Sequence, residues 1–124
     1  MVGWATLYFK TKKLQRQCSE EKMMYKTFGK ELSIKLKQRL MELQAASTLK
    51  DVSHFPPPAR CHELVNQDGV FSVDLVHPYR LLFIPAQEPF PIKCDGSIDQ
   101  ELVTEIEIRA VLDTHDKKNQ RRSL

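Results

Sequence analysis

Four histidines, His62 and His115 among them, together with Arg80 and Asp113, are residues of this 124-residue chain whose types could do chemistry. Histidine titrates near neutral pH, so one imidazole can take a proton and a second can give one. An arginine offers a planar fork of donors matched to phosphate or carboxylate oxygens. Asp113 and His115 share parity on an extended strand, so both can face one side, with the carboxylate orienting the imidazole. Each has a plainer reading. Arg80 can form a structural salt bridge to a neighbouring strand, for example to Asp74, and Asp113 can cap a strand end. The other two histidines, His54 before a proline run and His77 before Pro78, read as surface or turn residues.

Metal and thiol chemistry find less support. Cys18, Cys61 and Cys94 are odd in number, widely spaced and form no CxxC pair. They read as free thiols of a reducing compartment. No ligand cluster has metal spacing, so no metal and no cofactor is expected.

The elements that must position these residues are legible in the pattern. Trp4 to Phe9 is short and aromatic and predicts a first strand. Lys12 to Met24 predicts a polar helix, and Gly29 a turn between two helices. Leu32, Leu36, Leu40 and Leu43 recur at spacings of four, four and three, which puts one apolar stripe on a second helix. That stripe must lie on the strands that follow. Pro56-Pro57-Pro58 forces an extended segment.

Cys61 to Val65 then begins the main sheet, and Asn66-Gln67-Asp68-Gly69 is a turn. Phe71, Val73 and Leu75 alternate with Ser72, Asp74 and Val76, the period of a half-buried strand. On the next strand Arg80, Leu82 and Ile84 point one way, Leu81 and Phe83 the other. Residues 85 to 101 read as a Pro-rich excursion. Ile106, Ile108, Ala110 and Leu112 predict a last strand with one clean apolar face. The order is an α+β layer fold with helices on one side of a sheet. A single domain over residues 1–124 is expected, with 116–124 a fraying tail.

Composition narrows the class. A hydrophobic fraction of 41% and a charged fraction of 28% are ordinary for a soluble globular protein. No apolar run approaches a bilayer span and no signal peptide is visible, so the expectation is a cytoplasmic protein with no membrane partner. The net charge is only +3, but cations crowd the first third and carboxylates crowd residues 95–107. A basic face opposed by an acidic one would let an anion approach from one side.

The run from Cys61-His62-Glu63-Leu64 through Gly69 and Phe71-Ser72-Val73 to Tyr79-Arg80, with Asp113-Thr114-His115 closing the last strand, resembles the RelE/ParE superfamily of bacterial toxins. The nearest branch is the HigB-like, plasmid-maintenance-killer one, which reads His-x-Leu, a Gly turn, an aromatic-Ser-Val strand, an aromatic-Arg pair and a terminal Asp-Tyr-His. The likeness covers roughly Phe9 to His115. It implies two N-terminal helices on one face of a mainly antiparallel twisted sheet, in the order β-α-α-β-β-β.

It also implies an activity: ribosome-dependent cleavage of messenger RNA through its own 2′-hydroxyl, without metal. His62 and His115 would exchange protons, Arg80 would stabilise the phosphorane, and Asp113 would support His115. RNA-binding positions are Lys35, Lys37, Arg39 and Thr114. The implied partners are the ribosome, mRNA and a HigA-like helix-turn-helix antitoxin, with operator DNA bound only through the antitoxin complex. Two positions depart from the branch. Thr114 replaces its tyrosine, and the 66–69 turn carries Asp68 and no basic residue. They keep a second reading open: a non-catalytic or ParE-like member that binds antitoxin and DNA or poisons DNA gyrase.

Overall fold

The computed structural model describes residues 7–53, 60–64, 69–87 and 89–113. Along these, strand β1 (Leu7–Phe9) is followed by helices α1 (Lys12–Ser19), α2 (Glu21–Ala45) and α3 (Leu49–Ser53). Strands β2 (His62–Glu63), β3 (Phe71–Asp74) and β4 (Tyr79–Pro85) come next, then a 3₁₀ turn (Gln100–Leu102) and β5 (Ile106–Asp113). The five strands form one sheet in the order β1-β5-β4-β3-β2. β1 runs parallel to β5, and the other three pairings are antiparallel. The α+β class and the mainly antiparallel sheet agree with the sequence pattern. The simple β-α-α-β-β-β order does not, since the described residues hold a fifth strand and a third helix.

The helix boundaries follow from local chemistry. Thr11 caps α1, its hydroxyl accepting from the Leu14 N–H at 3.0 Å. The expected single helix over Lys12 to Met24 breaks at Glu20, which is extended. Gly29 interrupts α2 with φ 81° and ψ 169°, a region open only to glycine, so the expected turn sits there as a kink.

Beyond Gly29 the leucine stripe behaves as its spacing requires. Leu36, Leu40 and Leu43 are buried, with Leu32 packed alongside. They meet Phe71, Val73, Leu81, Phe83, Ile106 and Ile108, the inner face of the sheet. Phe71 and Phe83 stack across β3 and β4 with ring centroids 6.0 Å apart. The Pro-rich excursion is anchored rather than loose. Ala86 and Glu105 are hydrogen-bonded across its base, and the Val103 carbonyl accepts from the Leu49 N–H of α3.

The last strand departs from simple alternation. Leu82 pairs with Ala110, but Phe83 pairs with Ile108, a register shift that leaves Arg109 as an extra residue. Ile106 and Ile108 therefore face the helices, but Ala110 and Leu112 turn to the opposite face. Val111 takes the inward place, packed against the core. A one-residue shift exchanges the two faces of a strand, so the apolar face expected to run unbroken from Ile106 to Leu112 ends at the bulge.

Candidate functional site

The pairing of β2, β3 and β4 brings the site together. His62 lies opposite Ser72, Ser72 opposite Leu82, and Asp74 opposite Arg80. All five occupy the sheet face away from the leucine helix. That face is closed at its centre, where Ser72 and Leu82 are 0% and 1% exposed. It opens towards the strand ends, where His62 is exposed and Arg80 partly so.

There the Arg80 side chain reaches diagonally across β3. Its Nη1 lies 3.0 Å from His62 Nε2 and its Nε 3.3 Å from Asp74 Oδ1. A guanidinium only donates, so Nε2 of His62 must accept. The other ring nitrogen, Nδ1, sits 3.4 Å from the Glu63 carbonyl.

Sequence reasoning missed Arg60. Its Nε and Nη2 lie 3.1 and 3.0 Å from Asp74 Oδ2. Asp74 thus has one arginine hydrogen-bonded to Oδ2 and a second in ion-pair range of Oδ1, a buried oxygen that accepts no hydrogen bond. The available signal was spacing: Arg60 stands two residues before His62, one strand period. The proline run before it obscured the strand, and Arg60 itself has φ 38°, which breaks simple alternation.

Asp74 is braced from behind. Arg39 is only 1% exposed, and its Nε donates to the Asp74 carbonyl oxygen at 2.7 Å. Its Nη1 donates to Glu42 at 3.0 Å. Expected among the RNA-binding cations, Arg39 is instead an internal strut between α2 and the end of β3. The reason lies in the helix period: position 39 falls between Leu36, Leu40 and Leu43 on the inward arc. Lys35 and Lys37 do reach the surface. Lys35 contacts Gln38 at 3.3 Å. Lys37 is tied to Glu21 at 3.0 Å and sits 4.9 Å over the Tyr25 ring. Both lie on α2, on the helix layer rather than on the face that holds His62 and Arg80.

Asp113 does not join the cluster. It pairs with Tyr79, one residue off the Arg80–Leu112 pair, and so alternates towards the helix side. The bulge at Arg109 is the cause, because without it Asp113 would share the face of Arg80. His115 and Thr114 lie outside the described residues.

The surroundings add three facts. Burial pushes the Cys61 thiol, beside His62, up to about 12, and does the same to Cys18. Glu63 accepts from the Gly69 N–H at 2.6 Å, which ties β2 to the start of β3. A groove of about 310 Å³ flanks Glu63, lined by Lys50, Lys93, Ser97, Ile98, Gln100 and Glu101. Among the described residues no group of three His, Cys, Asp or Glu is placed to hold a metal ion, and no helix is long and apolar enough to cross a membrane.

The arrangement can hold an anionic oxygen against Arg80 and place an imidazole beside it. That combination suits proton transfer coupled to charge stabilisation. Comparison with protein-family models, with curated proteins and with solved structures yields no match.

Proposed function

We propose that this protein is a ribosome-dependent mRNA endonuclease, a HigB-like toxin of the RelE/ParE superfamily held in check by a helix-turn-helix antitoxin. The observation that carries the reading is the 3.0 Å contact between Arg80 Nη1 and His62 Nε2. Two residues 18 positions apart, singled out by motif, meet on one open sheet face.

In this reading a scissile phosphate displaces the internal partners of Arg80. The guanidinium then neutralises charge that develops on the phosphorane. His62, released from Arg80, has a free Nε2 lone pair to take the 2′-hydroxyl proton. His115 returns a proton to the leaving 5′-oxygen, as the resemblance implies. Asp113 stays outside the phosphate-binding cluster. The chemistry uses the RNA's own hydroxyl as nucleophile, so it needs no metal and leaves a 2′,3′-cyclic phosphate.

One observation favours the non-catalytic or ParE-like reading. Arg80 already stands in ion-pair range of Asp74 and meets His62, the pattern of a structural strut. Induced expression with separate readouts of translation and DNA supercoiling decides between the two. The endonuclease stops protein synthesis first and leaves supercoiling intact. Continued translation with collapsing supercoiling would replace it with the gyrase reading.

A further inference from the structure

Three charges meet at Asp74, and their sum is positive. Arg60 contacts Oδ2 at 3.0 and 3.1 Å, and Arg80 contacts Oδ1 at 3.3 Å. One carboxylate therefore serves two guanidiniums. The third arginine, Arg39, is matched by Glu42 at 3.0 Å. A carboxylate with one arginine beside each oxygen has the shape of a phosphodiester's two non-bridging oxygens, gripped from both sides.

The two arginines differ in freedom. The Arg60 side chain is 61% exposed, whereas those of Arg80 and Asp74 are 21% and 16% exposed. Arg60 can follow an incoming anion while Arg80 stays fixed by the sheet.

We infer that Arg60 and Arg80 form a two-arginine clamp for one backbone phosphate of single-stranded RNA, and that Asp74 holds the phosphate's place while the clamp is empty. The inference rests on the proposed endonuclease function for its choice of anion. It adds Arg60 as a binding residue and gives Asp74 a defined role. Asp74 keeps two like charges together at the strand ends and sets the threshold an RNA phosphate must exceed. Its backbone carbonyl, held at 2.7 Å by the buried Arg39, fixes the strand end from which the carboxylate turns aside when a phosphate arrives.

Binding of a short single-stranded RNA bearing 2′-O-methyl groups tests this, since such a strand can bind but cannot be cleaved through its 2′-position. Affinity is measured across a salt series for wild type, Asp74→Asn, Arg60→Gln and the double variant. Asp74→Asn keeps the side-chain shape and removes one negative charge from the clamp. It tightens binding about tenfold, the order expected for deleting one close repulsive charge. Arg60→Gln weakens binding and lowers the salt slope by about 0.7, the loss of one phosphate contact on a single strand. The double variant loses the gain.

A folded Asp74→Asn protein that binds no tighter overturns the inference. If Asp74→Asn does not fold, the exposed Arg60 decides alone: unchanged affinity and slope in Arg60→Gln overturns it. These outcomes are separate from the fate of the endonuclease reading. Translation arrest without the clamp behaviour would sink only the clamp. Clamp behaviour without any RNA cleavage would sink only the enzyme.

Discussion

Arg39 shows how one side chain can change role once its surroundings are known. A cation at 1% exposure, bonded to a strand carbonyl and to Glu42, braces the fold rather than recruiting RNA. Arg39→Met should cost about 2 kcal/mol in urea unfolding, the scale of losing hydrogen bonds to a charged group. Lys35→Ala and Lys37→Ala should each stay within about 0.5 kcal/mol of wild type, as surface pairs do. Thiols give a second check at this scale. Cys94 is exposed, while Cys18 and Cys61 are held protonated by burial, each up to about 12 from an ordinary 9.0. A thiol reagent near neutral pH should therefore label Cys94 first, the half-buried Cys61 more slowly, and the buried Cys18 only on unfolding. The sign of the linkage follows. The folded state resists ionisation, so the stability these thiols contribute is intact below pH 9.0 and declines as pH rises from 9.0 towards 12. Urea midpoints of wild type should fall more between about pH 8 and about pH 10 than those of Cys18→Ala, in which one such group is gone. An equal fall in both proteins would contradict the assignment.

At the scale of elements, Gly29 gives a prediction whose sign separates two pictures. In an unbroken helix, Gly→Ala stabilises by about 1 kcal/mol. Here φ is 81° and ψ 169°, and a Cβ would meet nothing within 4 Å. The penalty is then purely one of backbone, so Gly29→Ala should destabilise by about 1–3 kcal/mol in a thermal or urea melt. A stabilised variant would mean that α2 runs straight. The same scale explains what the sequence disclosed and what it withheld. Period-2 alternation set Ser72 with Asp74 in β3 and Arg80 with Leu82 in β4, and the pairing joins the two sets on one face. Period 3.6 in the leucines placed the core stripe of α2. Hydrophobicity along β5 suggested one apolar face from Ile106 to Leu112, because Ala110 and Leu112 are apolar whichever face they occupy. A bulge adds a single residue, Arg109, and leaves no signature in that pattern. The missed bulge is what separates Asp113 from Arg80. Long-range pairing was hidden for a similar reason. β1 and β5 are distant in sequence and three residues of β1 cannot announce a parallel partner.

For the whole molecule, the fold explains why a site can sit on this sheet. The helices cover one face, and the core on that side is continuous through Leu36, Leu43, Val73, Leu81 and Ile106. The other face is freed to carry polar residues towards the ends of β2, β3 and β4. Asp74, Arg80 and His62 come from three adjacent strands, so their spacing is set by the hydrogen-bond ladder rather than by flexible loops. The residue pattern offered Asp74 as a salt-bridge partner for Arg80, which the 3.3 Å contact bears out, but not the second arginine, Arg60, that the same carboxylate meets. Arg60 lies across a proline-interrupted stretch from any strand pattern, so only tertiary pairing brings it to Asp74. The central claim is that Arg80 and His62 act on the RNA phosphate. Its most direct test is to map message ends in a translation reaction containing purified ribosomes and this protein, beside the Arg80→Ala variant with folding verified by thermal melt. The account predicts 2′,3′-cyclic phosphate or 3′-phosphate ends, and a loss of at least ~10²-fold in cleavage rate for Arg80→Ala. Ends bearing a 3′-hydroxyl, or a folded Arg80→Ala protein that cleaves as fast as wild type, would contradict it.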